Sequence, residues 1–123
     1  MEKDEILEIF GKFIISNLRD SSIDFCDKLL RGYWKALKLQ NLQQDLQQFT
    51  LEQKEIIQKS VVASIDTAIH DFLFALEEND ESSNNIKIFV NDQDITDLGV
   101  CLRDLLFTKD GWFETFSRYK IKF

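Results

Sequence analysis

The chain has 123 residues and a formal net charge of -7, with 44% hydrophobic residues, eleven Phe and two Trp. That length suits one domain with its own core, and that aromatic content excludes a disordered chain. There is no proline and there are only four glycines, so little in the sequence interrupts helices.

From Lys3 to Leu18 the apolar residues Ile6, Ile9, Phe10, Phe13, Ile14 and Leu18 recur at steps of three and four, which predicts a one-sided helix. Asp20-Ser21-Ser22 offers a stop and a new N-cap. A second helix then carries Ile23, Phe25, Cys26, Leu29 and Leu30, continuing or kinking at Gly32 towards Trp34 and Leu37. In "LQNLQQDLQQF" the residues Leu39, Leu42, Leu46 and Phe49 make a narrow seam. It covers less than two heptads, too short for a coiled coil of its own, so a short helix packed on the same domain is expected, with a dimerising seam as the alternative.

Thr50-Leu51-Glu52-Gln53 reads as a capping box opening the longest helix, Leu51 to about Glu78. Its stripe comprises Ile57, Val61, Ile65, Ala68, Phe72, Ala75 and Leu76, widened by Ile69, Leu73 and Phe74, the pattern of a central, buried helix. "NDESSNN" is a loop. Ile86, Ile88 and Val90 alternate with other residues before Asn91-Asp92, a pair that tolerates positive φ, so a hairpin returning over Gln93 to Ile95 is expected. One or two helical turns over 97–106, a turn at Asp110-Gly111 and a helix in "WFETFSRY" follow. The spacing of Trp112, Phe113, Phe116 and Tyr119 makes them core staples rather than an exposed interaction patch. The final alternation from Tyr119 to Phe123 would suit a strand joining the hairpin. The fold class is thus mainly α (α+β): antiparallel helices around one long central helix, with a small C-terminal β-hairpin or short sheet. A single domain spans 1–123: residues 1–78 are helical, residues 79–85 are a loop, and residues 86–123 are a small β/α region.

His70 is the sole histidine. Asp66 lies four residues before it, the favourable order for a hydrogen-bonded pair, and the expectation is a partly buried His70 satisfied by Asp66. Asp66, His70 and Asp71 together form the alternative site, for an enzyme or small-ligand domain using acid/base chemistry. Metal binding is not expected, because a second His and suitably spaced Cys are missing; Cys26 and Cys101 show no CxxC spacing and read as reduced core residues. Asp92, Asp94 and Asp97 lack the glycine and the bidentate glutamate of a calcium loop. The four glycines are isolated, so no phosphate loop is present. No cofactor and no catalytic residue is assigned.

The acidity is C-terminal. Between residues 66 and 104 ten acids face only Lys87 and Arg103, which disfavours nucleic acid and favours a protein partner with a cationic surface. The expected contact acids are Glu77, Glu78, Asp80, Glu81, Asp92, Asp94 and Asp97. The acidic start lacks the features of a secretory signal, and apolar runs such as Phe72 to Leu76 are far below the roughly 18 residues of a membrane span. A cytoplasmic protein without membrane contact is expected.

The stretch Ile69 to Leu76, the hairpin after it and Asp110-Gly111-Trp112, with the amphipathic start, resemble small bacterial cytosolic proteins grouped with the immunity proteins of toxin systems. The resemblance implies a non-enzymatic domain that binds and neutralises one cognate toxin, often through an acidic face against a cationic site. It carries over no catalytic residues.

Overall fold

The computed structural model describes residues 2–78 and 86–120. Helix α1 (Lys3–Ile14) runs without interruption through a π-helical segment (Ile15–Asp20) into α2 (Ser21–Leu30). Asp20 and Ser21 both keep helical backbone angles and Asp20 caps nothing. The stop expected at Asp20-Ser21-Ser22 is therefore absent. Its reason is tertiary: the Asp20 carboxylate accepts from Ser117 Oγ (2.6 Å) and the Arg118 N–H (2.7 Å), donors almost a hundred residues away, instead of from the next turn.

The π segment has a consequence for burial. Closing its hydrogen bonds from i to i+5 adds a residue per turn, so consecutive pairs face inward: Ile14 with Ile15, then Arg19 with Asp20. α2 ends in a Schellman arrangement. Gly32 takes φ +70°, its N–H donates to Leu29 O, and the Tyr33 N–H donates to Lys28 O. The possible continuation past Gly32 thus does not occur.

Helix α3 (Leu37–Leu46) packs against α2. Its seam is only half engaged: Leu39 and Leu46 are partly buried, while Leu42 and Phe49 are exposed. The buried anchor is Gln43, whose side-chain amide accepts from the Trp34 N–H (2.8 Å) and donates to Trp34 O (2.6 Å). Helix α4 (Leu51–Glu77) opens with the expected capping box, Gln53 N–H donating to Thr50 Oγ1 and Thr50 N–H to Gln53 Oε1. It runs antiparallel to the α1–α2 rod, since Asp27 meets Gln58 while Arg19 meets Asp66.

β1 (Phe89–Val90) and β2 (Gln93–Asp94) pair antiparallel with Phe89 opposite Asp94 and Val90 opposite Gln93. Asn91 (φ 48°) and Asp92 (φ 66°) supply the two positive-φ positions of a type I′ turn, as expected. Two 3₁₀ turns (Ile95–Asp97 and Leu102–Leu105) and the five-residue helix α5 (Trp112–Phe116) follow. Tyr119 and Lys120 form no strand, and residues 121–123 of the suggested final strand lie outside the described residues.

The hydrophobic core joins the N-terminal helices to the C-terminal region, with Ile6, Phe10 and Ile14 of α1, Ile69 and Leu73 of α4, and Ile95, Leu102 and Trp112 in one cluster. Trp112 is a staple as expected. Its ring meets Phe10 edge-on at 5.7 Å and lies so close to Gly11 that a Cβ there would sit 2.3 Å from Nε1. Phe113 is buried as well.

On α4 the buried stripe is not the one expected from the apolar residues. It is Val62, Asp66, Ile69, Leu73 and Leu76. Ile57, Val61 and Ile65 are only partly buried, Ala68 and Ala75 are exposed, and Phe72 and Phe74 are 42% and 44% exposed. The apolar surface of α4 is wider than the core it packs into, and a carboxylate sits on the buried line.

Candidate functional site

That carboxylate belongs to a buried polar network centred on Arg19. Arg19, fully buried, donates from Nε to Asp66 Oδ1 (2.6 Å) and from Nη2 to Asp66 Oδ2 (3.3 Å), a two-pronged pair. Its Nη1 donates to Ser117 Oγ (2.9 Å) and Tyr119 O (2.6 Å), and its guanidinium stacks 4.3 Å from the Phe113 ring centroid. Asp20 closes the network through Ser117 and Arg118. Burying a guanidinium without partners is costly; here the donors of one rod residue are met by α4 on one side and the C-terminal segment on the other. The network ties three segments of the chain together and its groups are occupied with each other.

His70 has a different environment from the one expected. One step of four along a helix advances a position by about 40° around the axis, which carries His70 off the edge of the buried line on which Asp66 lies. The His70 side chain is 47% exposed, with Nδ1 3.2 Å from Asp71 Oδ1, itself in solvent. Asp66 therefore satisfies Arg19 and not His70. The three residues of the alternative site, Asp66, His70 and Asp71, do not converge on one cleft. Asp66 points into the interior and the other two point out. Among the described residues no group of three His, Cys, Asp or Glu side chains comes together to hold a metal. Burial raises the Cys26 thiol above its ordinary value with help from Asp27, and burial likewise raises Cys101 with a hydrogen bond to Asp104 adding to it, so neither is primed as a thiolate.

The acids expected to meet a partner separate into inner and outer sets. Glu77 is partly buried: Oε1 accepts from the Arg103 N–H (3.3 Å) and lies 3.8 Å from Arg103 Nη1, while Arg103 stacks 4.5 Å from the Phe74 ring. Asp94 is 8% exposed, and its Oδ1 accepts from Thr96 N–H (2.9 Å) and Thr96 Oγ1 (2.8 Å), capping the first 3₁₀ turn. Lys87 Nζ stands 3.5 Å from its Oδ2. Burial by itself would raise the Asp94 carboxyl, but the Thr96 donors and Lys87 outweigh it and hold the group below its ordinary value. Both residues thus belong to the scaffold and are withdrawn from the contact set. Glu78, Asp92 and Asp97 are exposed, and the type I′ turn holds Asp92 at the hairpin tip. Asp80 and Glu81 lie outside the described residues.

Sequence reasoning missed the arginine network and the bare helix faces. One signal pointed to the network: an acid at position 66 on the line Val62, Ile69, Leu73. A charged residue on a buried line needs an opposite charge, but its partner Arg19 turns inward only through the π segment, which the α-helical spacing of Ile6, Phe10 and Ile14 does not announce.

Comparison with protein families, curated proteins and solved structures finds no match to this chain. No helix among the described residues is long and apolar enough to cross a membrane.

Proposed function

We propose that this chain is a protein-binding domain without catalytic activity, of the kind that neutralises a cognate toxin, and that it engages a cationic surface on its partner through Glu78, Asp92 and Asp97. One observation carries the reading. Lys87 and Arg103, the two cations of the acidic stretch, are both drawn to the inward acids Asp94 and Glu77, so within that stretch nothing offsets the outward acids. An outward set of carboxylates on a hairpin tip and a helix end attracts cations over about a Debye length, roughly 8 Å at physiological salt, and raises association rates with a basic partner. The resemblance to immunity proteins supports the same direction.

The test is quantitative affinity capture from the source cells with the chain as bait, beside a triple variant Glu78→Lys, Asp92→Lys, Asp97→Lys of unchanged circular dichroism. A basic protein held by the parent and lost from the variant, with binding that weakens as salt rises, is the expected result. Equal retention of the same partner by both baits removes the electrostatic reading.

A further inference from the structure

The α1–α2 rod and α4 form a helical hairpin with two sides. One side is covered: Trp112 packs on Gly11, and Arg103 stacks on Phe74 and pairs with Glu77. Ile9 and Phe13 each lie two residues from Gly11, about 160° around the helix, on the opposite side; they are 45% and 62% exposed. On that side Leu18 and Ser22 of the rod form a groove with Ile65, Ala68 and Phe72 of α4, which continues past Phe25 and Val61. Leu18, Phe25 and Phe72 are all more than 40% exposed. Five large apolar residues that the core left exposed, Ile9, Phe13, Leu18, Phe25 and Phe72, therefore share one face that is uncovered among the described residues, and large exposed apolar patches mark interaction sites.

We infer that a second copy of this chain covers this face, giving an antiparallel dimer in which two hairpins form a four-helix layer. Area is the first reason. The bare apolar stretch runs from Ile9 to Phe25 of the rod and from Val61 to Phe72 of α4, about 25 Å of helix, and two helices side by side are about 20 Å wide. The face thus offers about 500 Å² per copy, about 1,000 Å² for the pair, the lower bound of a specific interface. Charge is the second. A two-fold interface brings residues near the axis against their own copies, so a self-complementary face must be uncharged at its middle. Here the middle is Leu18, Ser21, Ser22, Ile65 and Ala68, with small residues that admit close helix approach. Away from the axis the two-fold sets opposite ends together. At one end the exposed acids Glu2, Asp4, Glu5 and Glu8 of the rod with Asp71 and Glu78 of α4 outnumber the exposed Lys3 and Lys12 by six to two; at the other stand Arg31, Lys35 and Lys54 among acids of both elements. The antiparallel arrangement keeps the strongly acidic ends apart and lays each over the cation-bearing end of its mate. This interface is separate from the acids assigned above to a foreign partner, apart from Glu78 at its margin, and stands or falls independently of them.

Sedimentation velocity of the purified chain, from low to high micromolar concentration, tests the inference. The expected result is a species of twice 14.5 kDa that Phe72→Glu and Ala68→Glu each convert to monomer over the whole range. Both positions are exposed, so far-UV circular dichroism and melting temperature should be kept. Thr67→Glu, on the far flank of α4, should leave the dimer intact. A monomer at every concentration overturns the inference. So does a dimer that survives both face variants, or one that Leu42→Glu in α3 dissociates, since either places the interface elsewhere.

Discussion

Replacing Asp66 by leucine, which keeps helix propensity and approximate volume, removes the two-pronged carboxylate from an Arg19 guanidinium at 0% exposure, which keeps Ser117 Oγ, Tyr119 O and, more distantly at 3.9 Å, the Asp20 carboxylate. Breaking a buried ion pair from one side costs about 3–5 kcal/mol, because the remaining charge stays desolvated. Total stability for a domain of this size is about 5–15 kcal/mol, so the substitution removes a large fraction of it. Unfolding entropy of about 2.1 cal/mol/K per residue gives about 0.26 kcal/mol/K for 123 residues. A loss of about 4 kcal/mol therefore lowers Tm by about 15 °C. Urea titration followed by circular dichroism measures the same quantity, and an unchanged m-value would show that both states keep their compactness. Adding Arg19→Met to Asp66→Leu removes the stranded charge, so the double variant should be more stable than the sum of the two singles by about 2 kcal/mol or more. The His70→Ala variant serves as contrast: an exposed side chain paired only with its neighbour should change stability by less than about 0.5 kcal/mol. The assigned pairing is refuted if Asp66→Leu costs under about 1 kcal/mol, if the two singles simply add, or if His70→Ala is the more damaging change.

Gly11→Ala would ordinarily gain about 1 kcal/mol in a helix interior. With Trp112 atoms 2.3–2.4 Å from the new Cβ, overpacking should instead cost about 1–3 kcal/mol and shift the Trp112 fluorescence; a stabilised variant would refute that contact. Asp94→Asn tests the hairpin cap. Because the folded state holds this carboxyl below its ordinary value, its contribution is complete above the unfolded value of about 3.9 and disappears as pH falls through the lower folded value. At neutral pH the variant should lose about 1 kcal/mol, as for a lost cap, and the gap in Tm should close in the acid range below pH ~4. A gap that stays constant with pH would show that the ionised carboxylate is not its source. Thr50→Ala should cost about 1 kcal/mol by opening the capping box, read as a lower urea midpoint at unchanged m-value.

Local chemistry made much of this fold legible. Thr50 and Gln53 are three residues apart and cap each other whatever surrounds them; Asn91 and Asp92 tolerate positive φ, so the turn follows from the two side chains. Helix periodicity is equally local, which is why the amphipathic segments of α1, α2, α3 and α4 could be read along the chain. The acids at 78, 92 and 97 were identified as exposed because polar residues between apolar runs have nothing local to bury them.

Tertiary structure decided which portion of each apolar stripe would be buried. Ile9, Phe13 and Phe72 are as hydrophobic as Ile6, Phe10 and Leu73, and periodicity cannot separate them, since a helix face is covered or bare according to where the rest of the chain lands. Trp112 landed on Gly11 because only glycine leaves room for the ring there. The histidine was misplaced for the same reason. Asp66 had a plausible partner four residues on, but Arg19, 47 residues away in sequence, arrived through the antiparallel packing with a buried two-pronged geometry that an exposed imidazole could not match. Asp20 was likewise drawn from a local cap to Ser117 and Arg118. The sequence by itself determined the amphipathic segments, the Thr50–Gln53 capping box, the Asn91-Asp92 turn and the location of the outward acids. Only the packing of distant segments chose the partners of the buried charges and left one apolar face bare, because those outcomes depend on contacts that no local pattern encodes.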